Sequence, residues 1–184
     1  MSYEVLFIQG AGNVTTEEEQ VIVDALRINL GDEFTIIYPP MPDAEPRYLS
    51  WNNVLTTNLK NLSGKVILLG HSLGASIILK HFSSLPVPDK IIGMILFGPP
   101  YWKDQHWDIS EYVIEDDFLA NLSKLKNIYF YYSLDDEVIP YSHLESYRKL
   151  LPQANWRIIS GVDHSYHGAI TDMIKDIRVL ASQS

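Results

Sequence analysis

The chain has 184 residues, 46% hydrophobic and 20% charged, with a formal net charge of -9 and no cysteine. Such a length suits one compact domain that buries roughly two thirds of its unfolded surface. The negative charge opposes binding to nucleic acid or an anionic membrane, and the lack of cysteine removes disulfides, thiolate metal sites and a cysteine nucleophile.

In chain order, Val5 to Ile8 is a short aliphatic run ended by Gln9-Gly10-Ala11-Gly12. Thr15 or Thr16 with Glu18 or Glu19 resembles a capping box for a helix reaching about Leu30. Gly31 ends that helix, and Phe34 to Tyr38 forms a second strand stopped by Pro39-Pro40. Tyr48 to Leu62 carries apolar residues at helical period and closes at Ser63-Gly64. Val66 to Leu69 is a buried strand, followed by Gly70-His71-Ser72-Leu73-Gly74 and an apolar helix expected to open at Ala75. Lys90 to Phe97 is a fourth strand, near-continuously apolar as strands covered on both faces are. Beyond Gly98-Pro99-Pro100, residues 101–123 mix aromatics with acids and look helical from Glu115. Asn127 to Tyr132, Tyr141 to Leu151, Asn155 to Ile159 and His167 to Leu180 read as strand, helix, strand and helix.

Strands alternating with helices predict an α/β fold: a three-layer α/β/α sandwich on a six-stranded, mainly parallel sheet with right-handed crossovers. In such a sheet the site lies at the carboxyl ends of the strands, just after Ile8, Leu69, Phe97, Tyr132 and Ile159. GxSxG between a strand and a helix is a nucleophile elbow, in which Gly70 and Gly74 relieve crowding around a strained Ser72. The N–H of Leu73, in the first helical turn, is then placed to hold a developing oxyanion. A serine nucleophile needs a base, and the base a carboxylate. Asp135-Asp136 follows the fifth strand and Asp163-His164-Ser165-Tyr166-His167 follows the sixth, giving the chain order Ser, Asp, His.

With these segments in place the chain resembles the α/β-hydrolase superfamily, and among its members the small serine hydrolases of the RBBP9/YdeN-like type. The likeness runs from the first strand to the last helix and includes Met41-Pro42-Asp43 after the second strand. It implies a single domain over residues 1–184 with a small aromatic-rich cap or insertion at 99–123, and little or no lid. The family register places the triad acid at Asp136, four residues before Pro140, with Asp135 as competitor, and the histidine at His164 rather than His167. The second oxyanion donor falls to the N–H of Ala11, although Gln9 stands where relatives commonly carry histidine. His71 sits before the nucleophile, where the family often has histidine, and is expected to pack behind it; His81, His106 and His143 receive no role. Gly10, His71, Tyr101, Trp102 and Trp107 are the candidates for contact with substrate.

The implied activity is hydrolysis of small-molecule carboxylic esters through an acyl-serine, or of amides and small peptides by the same triad. No metal or organic cofactor is implied, no nucleic-acid or membrane partner is expected, and the oligomeric state is left open. A dinucleotide loop at Gly10-Ala11-Gly12 lacks its third glycine and its ribose-binding acid, and Asp135, Asp136, His164 and His167 lack metal-site spacing. A non-catalytic binding protein on the same scaffold is the rival from another class. The amino-terminal residues MSYEVLFIQG show no basic leader, from which a cytoplasmic location is expected.

Overall fold

The computed structural model describes residues 2–12, 15–42, 46–103, 110–114, 121–123, 125 and 127–184. Trp107, Asp43 and the expected helix start at Glu115 lie outside the described residues. Six strands form one sheet: β1 (Tyr3–Ile8), β2 (Phe34–Ile37), β3 (Lys65–His71), β4 (Ile91–Phe97), β5 (Ile128–Ser133) and β6 (Asn155–Ile159). Their order is β2-β1-β3-β4-β5-β6, and every neighbouring pair is parallel. The helices described are α1 (Thr15–Leu30), α2 (Tyr48–Asn61), α3 (Leu73–Ser84), α4 (Ser142–Leu150) and α5 (Ile170–Ser182), with short 3-10 turns at Ser110–Tyr112 and His167–Ala169. No helix among the described residues is long and apolar enough to cross a membrane.

Strand periodicity sorts the core into two layers. Leu6, Ile8, Leu68 and Leu96 face α2, α3 and α4, where Trp51, Leu55, Ile77 and Leu144 meet them. Val5, Phe7, Ile67, Leu69 and Ile95 face α1 and α5, against Ile22, Val23, Leu26, Met173 and Ile177. Each of these fully buried aliphatic side chains contributes roughly 1.5–3 kcal/mol relative to exposure, so both layers are needed to hold the sheet. The edge strand β6 is fastened to α5 by Arg157, whose Nε and terminal nitrogen donate to Asp176 at 2.9 and 2.7 Å, while Tyr131 donates to the same carboxylate at 2.6 Å.

Strand β3 runs two residues further than its aliphatic core predicts, because Gly70 still pairs with Ile8 and His71 with Phe97. Helix α3 consequently begins at Leu73, two residues before the expected Ala75, and Ser72 alone makes the reversal. Chain direction across the sheet switches between β1 and β3, so Gln9-Gly10 and Ser72 share the crevice at that switch point. The two motif glycines serve packing around the elbow rather than space beside the serine itself. A Cβ on Gly70 would lie 2.8 Å from Ala75 Cα, and one on Gly74 would lie 2.2 Å from the Ile8 carbonyl oxygen. Gly74 thus lets α3 sit directly against the end of β1.

Backbone atoms cannot yield at the Gly74 contact, so Gly74→Ala is expected to lower the urea-unfolding free energy by about 3 kcal/mol or more. At Gly161 (φ +71) a Cβ would meet nothing within 4 Å, so Gly161→Ala carries only the left-handed backbone penalty, about 1–2 kcal/mol. Equal losses in the two variants would contradict this account of the elbow.

Candidate active site

Ser72 has φ 48° and ψ -113°, a left-handed conformation that a side chain adopts only under constraint. Its N–H donates to the Phe97 carbonyl at 2.9 Å and its own carbonyl accepts from Ser76 N–H at 3.2 Å, so β4 and α3 hold the turn from both sides. Leu73 opens α3, and a first-turn N–H has no acceptor inside its own helix. Ser72, Leu73 and Ala11 together line a cleft of about 490 Å³, whose other walls include Pro100, Trp102, Tyr112 and Ile139.

The acid and the histidine come from the loops after β5 and β6. His164 Nδ1 lies 2.8 Å from Asp136 Oδ2, and the Asp136 side chain is fully buried. The same oxygen accepts from Tyr166 Oη at 3.2 Å, while Oδ1 accepts the N–H groups of Val138 and Ile139 at 2.9 and 2.8 Å. Burial pulls the Asp136 carboxyl upward. The hydrogen bond and positive charge of His164 and the two N–H groups outweigh that, holding it below its ordinary value. Asp135 is engaged elsewhere: its Oδ2 accepts Gly161 N–H at 2.5 Å and ties the two loops together. His167 is likewise absent from this cluster, its Nε2 pairing with the Glu18 carbonyl at 2.8 Å. Of the four side chains weighed as a metal site, Asp136 and His164 pair with each other while Asp135 and His167 bond to main-chain groups, and no metal-ligating cluster occurs among the described residues.

Gly98 leaves room for the His164 loop next to the strand end that holds Ser72. With φ +56° and no side chain, it lies directly after the Phe97 carbonyl that holds Ser72, and a Cβ there would sit 3.1 Å from the Tyr166 ring and 3.3 Å from His164 Cε1. Ser72 is hydrogen-bonded to the residue before Gly98, and no direct side-chain hydrogen bond joins it to His164. Such bonds are often long in free enzymes and tighten around the reacting group.

The remaining candidates separate by position. Trp102 is buried and lines the cleft, its ring 4.8 Å from that of Tyr112. Tyr101 is instead held by its N–H on His143 Nδ1 at 2.9 Å and packs its ring edge-on to Tyr147. The carbonyls of Pro99 and Pro100 accept from Tyr132 and Tyr147 at 2.6 and 2.9 Å, so β5 and α4 fix the start of this loop. Gly10 donates its N–H to Glu19 at 2.7 Å, and His71 is buried behind the elbow, 2% exposed, with its ring stacked on Phe97 at 4.7 Å. Glu19 is accordingly a buried partner of Gly10 and His71, not the capping residue its place near the start of α1 predicts.

Tyr166, Gly98, Tyr112 and Glu19 are structural partners that pattern reading passed over. Glu19 had a signal: it falls in line with Ile22, Val23 and Leu26, the buried stripe of α1, where a carboxylate has no place without partners. Tyr166 had none, because its approach to Asp136 depends on its own left-handed backbone, φ 57°.

Comparison with known proteins agrees with this architecture. The product of the Bacillus subtilis ydeN gene superposes with a TM-score of 0.73 at 16% identity, covering 99% of this chain and 100% of that one. A structure from work on carboxylesterases of the thaumarchaeon Nitrososphaera gargenis gives 0.72 at 13% identity, covering 100% and 92% of the two chains. Mouse alpha/beta hydrolase domain-containing protein 10 gives 0.70 at 16% identity, with 98% and 90% covered. At such identities the likeness is one of fold, and a search of curated protein sequences finds no match. The family model described as serine hydrolase matches residues 35–155, more than half of the chain, and takes in the elbow and the acid loop. With an elbow at Ser72 on a six-stranded parallel sheet, and that match across it, the chain belongs to the serine hydrolase family and has the α/β-hydrolase fold.

Proposed function

We propose that the protein hydrolyses carboxylic esters of small molecules through an acyl-serine intermediate, with Ser72 as nucleophile, His164 as base and Asp136 as the carboxylate that orients it. The observation that carries this reading is a strained, cleft-lining Ser72 at the end of β3, on a sheet whose β5 and β6 loops supply a His164–Asp136 couple with a carboxylate that accepts four hydrogen bonds. With Nδ1–H held by Asp136, the Nε2 lone pair of His164 serves as the base.

Ser72 Oγ attacks the acyl carbon as its proton passes to His164 Nε2. The carbonyl oxygen becomes an oxyanion held by the N–H groups of Leu73 and Ala11. Nε2 then returns the proton to the departing alkoxide, leaving the acyl group on Ser72, and water repeats the steps in reverse to release the acid. Asp136 stays ionised throughout and stabilises the imidazolium formed at each step.

The cleft supports an apolar acyl group. Apolar and aromatic side chains, among them Leu73, Pro100, Trp102, Tyr112 and Ile139, supply most of its wall, and its charged residues, Arg47 and Glu111, face each other across 3.8 Å. Trp102 both packs on Tyr112 and lines the cleft.

Ser72→Ala should lower nitrophenyl-ester turnover by about 10⁴-fold or more with unchanged folding by circular dichroism. Trp102→Ala should change the ratio of octanoyl to acetyl ester kcat/KM; equal loss on both esters with a lowered Tm would assign Trp102 to packing alone. Asp136→Asn should lower kcat by about 10⁴-fold. A carboxyl held below its ordinary value stabilises the fold fully above the unfolded-state aspartate range, and that contribution is lost as pH falls through the folded value. The stability gap between wild type and Asp136→Asn should therefore be constant near neutrality and narrow in acid, as measured by urea unfolding across pH.

A further inference from the structure

Beneath the elbow lies a second carboxylate–histidine couple. His71 Nδ1 is hydrogen-bonded to Glu19 Oε1, both side chains are buried, and neither lines the cleft. They meet because His71 follows Ile67 and Leu69 on the sheet face covered by α1, while Glu19 lies on the buried stripe of that helix. Each partner also reaches toward one of the loops that the proposed reaction uses. Glu19 Oε1 accepts the Gly10 N–H at 2.7 Å, one residue before Ala11. His71 Nε2 lies 2.9 Å from the main-chain carbonyl oxygen of His164.

A main-chain carbonyl only accepts, so Nε2 of His71 carries a proton. The contact between Nδ1 and Glu19 Oε1 holds another, and the pair is net neutral whichever of the two atoms is nearer to it. A neutral, fully bonded pair is the form in which a carboxylate and an imidazole can be buried without the cost of an isolated charge. Tyr38 donates to the second Glu19 oxygen at 3.0 Å, and Phe97 stacks on the imidazole with planes 10° apart, which fixes both orientations.

We propose that Glu19 and His71 are positioning residues that couple the oxyanion loop after β1 to the loop bearing His164, so that donor and base keep a fixed separation around Ser72. This rests on the ester-hydrolase reading for its catalytic consequence. A glutamine cannot replace Glu19 here, because one atom, Oε1, meets both the Gly10 N–H and His71 Nδ1. An amide nitrogen there would oppose the Gly10 N–H, and with an amide oxygen His71 could not donate from both ring nitrogens without an unbalanced buried charge.

The test measures kcat and KM for a nitrophenyl acetate per fluorophosphonate-titrated site in wild type and Glu19→Gln, together with the ring-nitrogen NMR signals of His164. His71→Phe, which keeps the stacking on Phe97, is the second variant if the first does not fold. The expected result is a fall in kcat of about tenfold with little change in KM, as for a misplaced oxyanion donor, and displaced His164 signals in folded Glu19→Gln. A kcat per titrated site within about twofold of wild type, or His164 signals that do not move, overturns the proposal. Wild-type protein that takes no label and turns over no ester defeats the hydrolase reading instead. Displaced His164 signals in Glu19→Gln would then still support the coupling of the two loops, and unmoved signals would overturn it.

Discussion

The turn at Ser72 is the constraint on which the rest of the molecule depends. A non-glycine residue at φ 48° and ψ -113° costs of order 1–3 kcal/mol and persists only where its surroundings over-determine it. Here the surroundings are β4, whose Phe97 carbonyl holds the Ser72 N–H, and α3, which starts one residue later and is seated against β1 by Gly74. The strain lifts the hydroxyl out of the strand and places the first N–H of the helix beside it. In the proposed reaction, elbow geometry and oxyanion geometry are then one feature of the backbone.

Around this turn the polar groups are arranged in two tiers. The upper tier joins His164 to Asp136, with Tyr166 and two main-chain N–H groups completing the carboxylate. Tyr166 is deeply buried, and burial together with the Asp136 charge pushes its phenol well above the ordinary tyrosine value. Its hydroxyl is therefore kept protonated to donate to that carboxylate. The lower tier joins Glu19 to His71 and reaches the main chain at Gly10 and His164. Because the tiers meet at His164, that residue is bonded at both its ring and its backbone.

Much of this was legible in the sequence because period-two strands, helical stripes and the GxSxG spacing are local signals. The alternation of Leu6 and Ile8 with Val5 and Phe7 already encodes the two core layers, and the carboxyl-end rule already points at Ser72 and at the loops that carry Asp135-Asp136 and His164. Adjacent acids are harder: Asp135 and Asp136 both meet the loop after β6, one at the Gly161 N–H and the other at the His164 ring, and only the family register before Pro140 ranks them in the sequence. Tyr166 and Gly98 were invisible because their parts rest on left-handed backbone angles, which composition does not signal at a tyrosine. Glu19 was misread for a simpler reason, since an acid near a helix start satisfies the capping pattern and conceals its place on the buried stripe.

The central claim is that Ser72 is the activated nucleophile and that the Leu73 and Ala11 N–H groups hold the charge it creates. A crystal structure of the protein after reaction with a small fluorophosphonate tests it most directly. The account predicts a phosphorus–Oγ bond at Ser72, a phosphoryl oxygen within hydrogen-bonding distance of both N–H groups, and His164 Nε2 beside the modified oxygen. Modification at another residue, or a phosphoryl oxygen turned away from Leu73 and Ala11, would contradict it.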